Sequence, residues 1–223
     1  MSVLPVSLLV VAKAPEPGRA KTRLAASVGD RVAAEIAAAA LLDTLDAVTA
    51  TPVAARVVAL TGDLDAAAGG AEIRRRLESF TVIPQRGDDF AHRLANAHAD
   101  AGSGSGGHPV LQIGMDTPQV TDELLANCAR RLLQAQAVLG LAHDGGWWVL
   151  GLQTPTAAEF LRRVPMSQPD TGKLTLKALH DNGLDVTPVE LLTDFDVIDD
   201  VAAVRDACDP ASRFARLTRA AGL

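Results

Sequence analysis

The chain's 223 residues can bury a substantial core, and its 48% hydrophobic and 22% charged residues exclude a disordered chain. A net charge of −6, from 21 Lys+Arg against 27 Asp+Glu, excludes general nucleic-acid binding, which needs a broad basic surface. The two cysteines, Cys128 and Cys208, lie in helix-like patterns and support neither a disulfide framework nor a zinc site, so a reducing, cytoplasmic setting is expected.

The apolar run Leu8–Ala12 predicts a first, buried strand. It is too short for a membrane span and lacks a leading basic region and a clear cleavage pattern, so no membrane span is expected. The turn Lys13–Leu24 follows, and Asp30 is placed to cap a helix reaching about Thr49. Arg56–Leu60 predicts a second strand, then a short helix near Ile73–Leu77. Phe80–Ile83 predicts a third, ending at Pro84-Gln85-Arg86-Gly87, with a helix from Asp88 to Ala101. Gly102–Gly107 reads as a flexible surface loop. Val110–Ile113 predicts a fourth strand, with a helix opening at Thr121 and running to about Gln136. Ala137–Ala142 and Trp147–Leu152 predict two strands around the turn His143–Gly146. Thr156-x-x-Glu159 reads as a capping box. A helix near Leu174–Asn182, a strand near Val186–Leu191 and helices starting near Asp199 and Asp209-Pro210 complete the chain.

Strands alternating with helices of ten or more residues imply parallel pairing in a layered α/β sandwich. The Asp144-Gly145-Gly146 turn implies a local antiparallel insertion, so the sheet is expected to be mixed. No internal repeat is present, and residues 1–223 are read as one domain.

Four cations, Lys13, Arg19, Lys21 and Arg23, crowd the first strand-to-helix turn of this acidic chain. An α/β fold receives phosphates there, from converging N–H groups and an electropositive helix start. Gly18 permits a positive φ, and Pro15 and Pro17 stiffen the turn. The segment is neither G-x-x-x-x-G-K-[ST] nor G-x-G-x-x-G. It is read as a loop gripping a nucleotide's phosphates, with Lys21 also a catalytic candidate.

Asp116, in Gly114–Pro118, falls at the C-terminal end of the fourth strand, the ligand-binding edge of a parallel sheet, and suits a hard cation such as Mg²⁺ (or Mn²⁺). In Asp194-Phe195-Asp196, alternate spacing sets both carboxylates on one side of an extended segment, where one of them can share a metal with Asp116. Asp199 is read as an N-cap. Asp144 is a candidate for catalysis and acceptor binding, with Gly145 and Gly146 allowing close backbone approach. One of Trp147 and Trp148 is expected in the core. Gln85 is placed to read a base edge, and the polar loop Met166–Gly172, with Ser167, to close over a ligand. His92, His98, His108 and His180 show no metal-ligand spacing.

Lys13-x-Pro15-x-Pro17-Gly18-x-x-Lys21-Thr22-Arg23-Leu24, the Asp116-x-Pro118 pair, the Asp144-Gly145-Gly146 hairpin and the late Asp-x-Asp together resemble the DUF2064 group of the GT-A glycosyltransferase superfamily, over nearly the whole chain. More distantly the chain is similar to molybdopterin and 2-phospho-L-lactate guanylyltransferases. The resemblance implies a nucleotide-diphospho-sugar transferase fold, a three-layer sandwich with a mostly parallel mixed sheet, and a divalent cation. Asp116 then matches the central metal carboxylate, Asp196 the late one and Gln85 a base-contacting position, with the Asp144 hairpin facing the acceptor. Met115, His143 and Val197-Ile198 depart from the group's usual residues. The expected activity is metal-dependent nucleotidyl transfer from an NTP to a phosphorylated small molecule. The alternatives are glycosyl transfer from an NDP-sugar and nucleotide binding without catalysis.

Overall fold

The computed structural model describes residues 2–104 and 106–223. Seven strands form one sheet in the order β3-β2-β1-β4-β6-β5-β7: β1 (Leu4–Lys13), β2 (Val53–Thr61), β3 (Thr81–Pro84), β4 (Val110–Ile113), β5 (Ala137–Leu141), β6 (Trp147–Leu152) and β7 (Val186–Pro188). Only β6 runs against the others, pairing antiparallel with β4 and β5. The mixed sheet expected from the hairpin turn is therefore present.

β1 lies between β2 and β4, and its residues from Val6 to Ala12 are all buried. A central parallel strand covered on both faces needs such a near-continuous apolar run, broken here only by Ser7. Val6, Leu8, Val10 and Ala12 face α2 (Asp30–Ala50), α3 (Gly70–Leu77) and α5 (Asp122–Leu132). Leu9 and Val11 face α4 (Phe90–Gly104), a 3₁₀ helix (Pro155–Arg163) and α6 (Thr171–Asp181). Trp148 is buried on the first of these faces, and Trp147 is half-buried on the second.

A third apolar cluster lies outside the two sheet faces. Leu24 of α1 (Thr22–Val28), Ile36 of α2, Val201 and Val204 of α7 (Ile198–Ala207) and Phe214 of α8 (Arg213–Ala220) surround Phe195. It fastens the chain's C-terminal helices to the segment following β1.

Several expected boundaries shift. A separate seven-residue α1 precedes α2, whose N-cap is Gly29, so Asp30 is the first helical residue rather than the cap. Gly102, Ser103 and Gly104 continue α4 instead of forming a loop, and Ser105 of that expected loop lies outside the described residues. Thr121 caps α5 as expected, accepting from the Leu124 N–H. Thr156 caps nothing: Pro155 already occupies the start of the 3₁₀ helix, where its fixed φ suits the first turn. β7 stops at Pro188, which brings no N–H to the ladder. The last helix starts at Arg213 with Ser212 as its cap, while Asp209 accepts from Ala211 N within the preceding turn.

Candidate active site

The sheet reverses its winding at β1. The chain proceeds from β1 outward to β2 and β3, then returns to place β4 on the other side. Ligands of open α/β sheets bind outside the strands' C-terminal ends at such a switch point. Here that crevice lies between Lys13, the last residue of β1, and Gly114–Asp116, which follow β4. The two ends are joined by the Lys13 N–H, which donates to the Met115 sulfur at 3.2 Å.

The cationic loop is built on a buried acid. Glu16 is 6% exposed; its carboxylate accepts from Asp63 N at 3.0 Å and from the Arg19 guanidinium at 3.2 Å. The bond from Asp63 N, then Arg19, holds the Glu16 carboxyl below its ordinary range. Lys13 Nζ donates to the Arg19 carbonyl at 2.7 Å, which closes the loop on itself. Gly18 sits at φ +75, and a Cβ there would lie 3.4 Å from the Asp30 carboxylate. The helix entered directly is the short α1, while α2 begins only at Asp30. The expected support from a long helix start is therefore absent, and the loop's positive charge is that of its side chains.

Lys21 adopts φ 46, a left-handed backbone that non-glycine residues seldom take, immediately before α1. Its side chain is 11% exposed, and Nζ lies 3.0 Å from Asp116 Oδ2 and 3.9 Å from Asp196 Oδ1. It also donates to the Phe195 carbonyl and sits 4.4 Å from the centre of the Phe195 ring. Arg23 pairs with Asp196 Oδ2 at 2.7 Å. The structure thus brings Lys21, Arg23, Asp116 and Asp196 together, across about 170 residues of chain for the Lys21–Phe195 contact.

The late acidic segment is held from three sides. Phe195 is fully buried, with its ring 4.8 Å from that of Phe214, and its N–H reaches the Asp116 carbonyl at 3.4 Å. Asp200, not Asp199, fixes the start of α7: its carboxylate accepts from Asp196 N and Val197 N at 2.9 and 3.0 Å. Burial first, then the negative fields of Asp116 and Asp144, push Asp194 up to about 6, with Lys21 acting in the opposite sense.

In the hairpin, Asp144 Oδ1 accepts from Gly146 N at 2.7 Å. The close backbone approach expected here comes from the chain's own loop. Gly145, at φ +91, has room for no side chain, because a Cβ would lie 1.8 Å from the Pro169 carbonyl oxygen. Gly172 N donates to the Gly145 carbonyl at 2.7 Å. The same loop carries Ser167 (φ 58), which lines a cleft of about 420 Å³ with Phe90, Arg163 and Met166. Gln85 lies at the sheet edge, and its amide nitrogen donates to the Ala12 and Ala59 carbonyls at 2.8 and 3.0 Å.

The donor set around the Lys21 ammonium is two carboxylate oxygens and a main-chain carbonyl, the oxygen chemistry a hard divalent cation takes. Among the described residues no group of three or more His, Cys, Asp or Glu side chains is arranged to hold a metal. The residues therefore fit an ion bound by one or two carboxylates and completed by substrate phosphates, as Mg²⁺ commonly is. Neither Glu16 nor Phe195 is a candidate on sequence grounds, whereas Asp194 is, as one of the two carboxylates that can share a metal with Asp116. A lone buried Glu within a proline-rich basic turn was the available signal for the first.

The family model described as "Uncharacterized protein conserved in bacteria (DUF2064)" matches residues 44–168, and the chain belongs to that family. No curated protein sequence matches it. Among solved structures, it is similar to a Desulfovibrio desulfuricans G20 protein provisionally described as a nucleotide-diphospho-sugar transferase. The TM-score is 0.85 at 22% identity, over 100% of this chain and 96% of that one. It is also similar to CMP:2-keto-3-deoxy-manno-octonic acid synthetase complexed with CTP, with a TM-score of 0.57 at 9% identity over 90% and 97% of the two chains. A third similar structure is Rv0371c of Mycobacterium tuberculosis H37Rv in complex with manganese, with a TM-score of 0.55 at 19% identity over 89% and 97%. These likenesses show the three-layer fold of the nucleotide-diphospho-sugar transferase type. No helix among the described residues is long and apolar enough to cross a membrane.

Proposed function

We propose that residues 1–223 form a metal-dependent nucleotidyltransferase, which joins an NTP's nucleoside monophosphate to a phosphorylated small molecule and releases pyrophosphate. The observation that carries this reading is the Lys21–Asp116–Asp196 arrangement at the switch point, with Lys13, Arg19 and Arg23 around it. A cationic wall and an anionic wall face one another there. Polyphosphate and a divalent cation are the ligand pair that such walls complement.

In this reading the triphosphate lies along Lys13, Gly18, Arg19, Lys21 and Arg23, and the base reaches toward Gln85. An acceptor phosphate oxygen attacks the α-phosphorus while the bond from that phosphorus to the bridging oxygen of the β-phosphate breaks. Pyrophosphate carries the electron pair away. Lys21 and the three other cations offset the charge that builds on the leaving group, so the chain acts by positioning and electrostatics. Asp116 and Asp196 would hold a Mg²⁺ or Mn²⁺ ion, which supplies Lewis-acid neutralisation of the phosphate oxygens. Asp144, Gly145, Gly146 and Ser167 border the space assigned to the acceptor, with Asp144 placed to orient it. The resemblance to a manganese complex and to a CTP complex supports this assignment of ligands.

Glycosyl transfer from an NDP-sugar is the second reading, favoured by the likeness to the Desulfovibrio protein. In it the same loop would hold the diphosphate, and Asp144 would orient an acceptor hydroxyl. A thermal-shift panel of NTPs and sugar nucleotides with and without Mg²⁺ separates the two: the first reading expects the largest stabilisation from an NTP with Mg²⁺. Preferential stabilisation by a sugar nucleotide would favour the second.

A further inference from the structure

We propose that Lys21 is an internal cation that guards the divalent-ion position, so that the protein takes up its metal only as the ammonium leaves for the substrate's phosphates. The inference rests on the metal assignment of Asp116 and Asp196 above and adds an order of events to it.

Four observations carry it. First, the oxygens assigned to the metal are those gathered around Nζ: Asp116 Oδ2 at 3.0 Å, Asp196 Oδ1 at 3.9 Å and the Phe195 carbonyl. An ammonium and a divalent ion cannot share that position, because their charges repel and their oxygens are the same. Second, Lys21 is held from below by the Phe195 ring at 4.4 Å, and its side chain is only 11% exposed. The ammonium is therefore buried in the carboxylate site rather than extended from the basic loop. Third, Lys21 holds a left-handed backbone at φ 46, a conformation that costs energy and is kept only where surrounding contacts fix it. Fourth, Asp196 has a second cation in Arg23 at 2.7 Å, and Asp116 has no other ion pair among the described residues, so the exchange falls chiefly on the Lys21–Asp116 pair.

The exchange is self-balancing in charge. Without substrate, the ammonium neutralises carboxylates that would otherwise repel one another. With a polyphosphate, Lys21 finds a stronger anionic partner and the divalent ion takes its oxygens. Metal and nucleotide affinities are then coupled, each raising the other.

Mn²⁺ alone is the probe, with its binding followed by the electron paramagnetic resonance of free Mn²⁺. Replacing Lys21 with uncharged Met or Gln is expected to tighten Mn²⁺ binding by roughly ten-fold or more, since a like charge is removed from the ion's position. Lys21→Arg is expected to bind Mn²⁺ as weakly as the unaltered chain. Unchanged or weaker binding in both uncharged variants, with Mn²⁺ still lost on adding Asp116→Asn, overturns the proposal but leaves the metal assignment intact. Binding that survives Asp116→Asn and Asp196→Asn in the Lys21→Met background puts the ion elsewhere and removes both. A measurement on the unaltered protein covers the case in which the variants do not fold. Saturating Mn²⁺ should raise acetylation of Lys21 by acetic anhydride, read by mass spectrometry against Lys13; unchanged or reduced labelling of Lys21 contradicts the proposal.

Discussion

Lys21 Nζ and Asp116 Oδ2 lie 3.0 Å apart, although 95 residues of chain separate them. Lys21 belongs to the turn after β1 and Asp116 to the turn after β4, so parallel pairing of those strands (Leu8 with Leu111, Val10 with Ile113) delivers the two charges to one crevice. The fold's contribution to the site is this register.

Lys21→Ala is expected to weaken binding of an NTP by about ten- to a hundred-fold while leaving nucleoside binding nearly unchanged, the range expected when a charge-assisted bond to phosphate is lost. Isothermal titration calorimetry with both ligands checks this. Equal losses for the two would remove Lys21 from the phosphate site.

Phe195→Ala should cost about 3–5 kcal/mol of stability, the usual consequence of emptying a fully buried aromatic site. It should also release the segment carrying Asp194 and Asp196, because the Phe195–Phe214 packing at 4.8 Å anchors it. Urea denaturation measures the first effect, and loss of Mn²⁺-supported nucleotide binding in the folded protein measures the second.

The C-terminal helix is stapled by Arg213, which reaches Asp43 at 3.2 Å, Asp46 at 2.6 Å and Glu72 at 3.3 Å. Asp43 is the buried partner, with an 8% exposed side chain that also accepts from Arg213 N and Phe214 N. Asp43→Ala is expected to destabilise by about 2–4 kcal/mol, leaving two main-chain donors without their acceptor and the guanidinium with only the more exposed Asp46 and Glu72. Asp46→Ala, at a site 38% exposed, should cost no more than about 1 kcal/mol. Similar denaturation midpoints for the two variants would contradict this division.

His98 gives the stability a defined pH dependence. It is wholly buried between α4 and β4, with Nδ1 3.0 Å from Gln112 Oε1, and burial lowers its pKa from 6.5 to about 4. Below pH 6.5 the unfolded chain binds a proton that the folded chain refuses, so stability present above 6.5 is lost as pH falls toward about 4. At about 1.4 kcal/mol per pH unit the loss is on the order of 3 kcal/mol. Unfolding free energies measured across that window should show this slope in the unaltered protein and a shallower one in His98→Gln.

The strands themselves are legible, because those in the middle of the sheet, such as β1 and β4, are buried on both faces and must be written as short apolar runs. Val110–Ile113 and Trp147–Leu152 were read to the residue. Helix starts were less legible, since Asp30, Thr156 and Asp199 are cap-type residues that the chain uses inside first turns, with Gly29, Thr154 and Val197 at the boundaries. The cations and carboxylates of the candidate site can be picked out by type and by their place after a strand. What pairs Lys21 with Asp116 is the register of β1 against β4, and what buries Phe195 between two carboxylates is the packing of α1, α2, α7 and α8 around it; both are long-range, and local sequence carries no signal for either. Gly145 shows the opposite difficulty: its glycine signal was real, but the close neighbour is Pro169 of the same chain.

The most direct test of the proposed nucleotidyl transfer is product analysis. Each NTP is incubated with Mg²⁺ and a panel of phosphorylated small molecules, and pyrophosphate is measured beside NDP released from a matched panel of sugar nucleotides. The account predicts pyrophosphate release that depends on one acceptor class and disappears in Asp116→Asn. Release of NDP from a sugar nucleotide, with no pyrophosphate from any NTP, would contradict it.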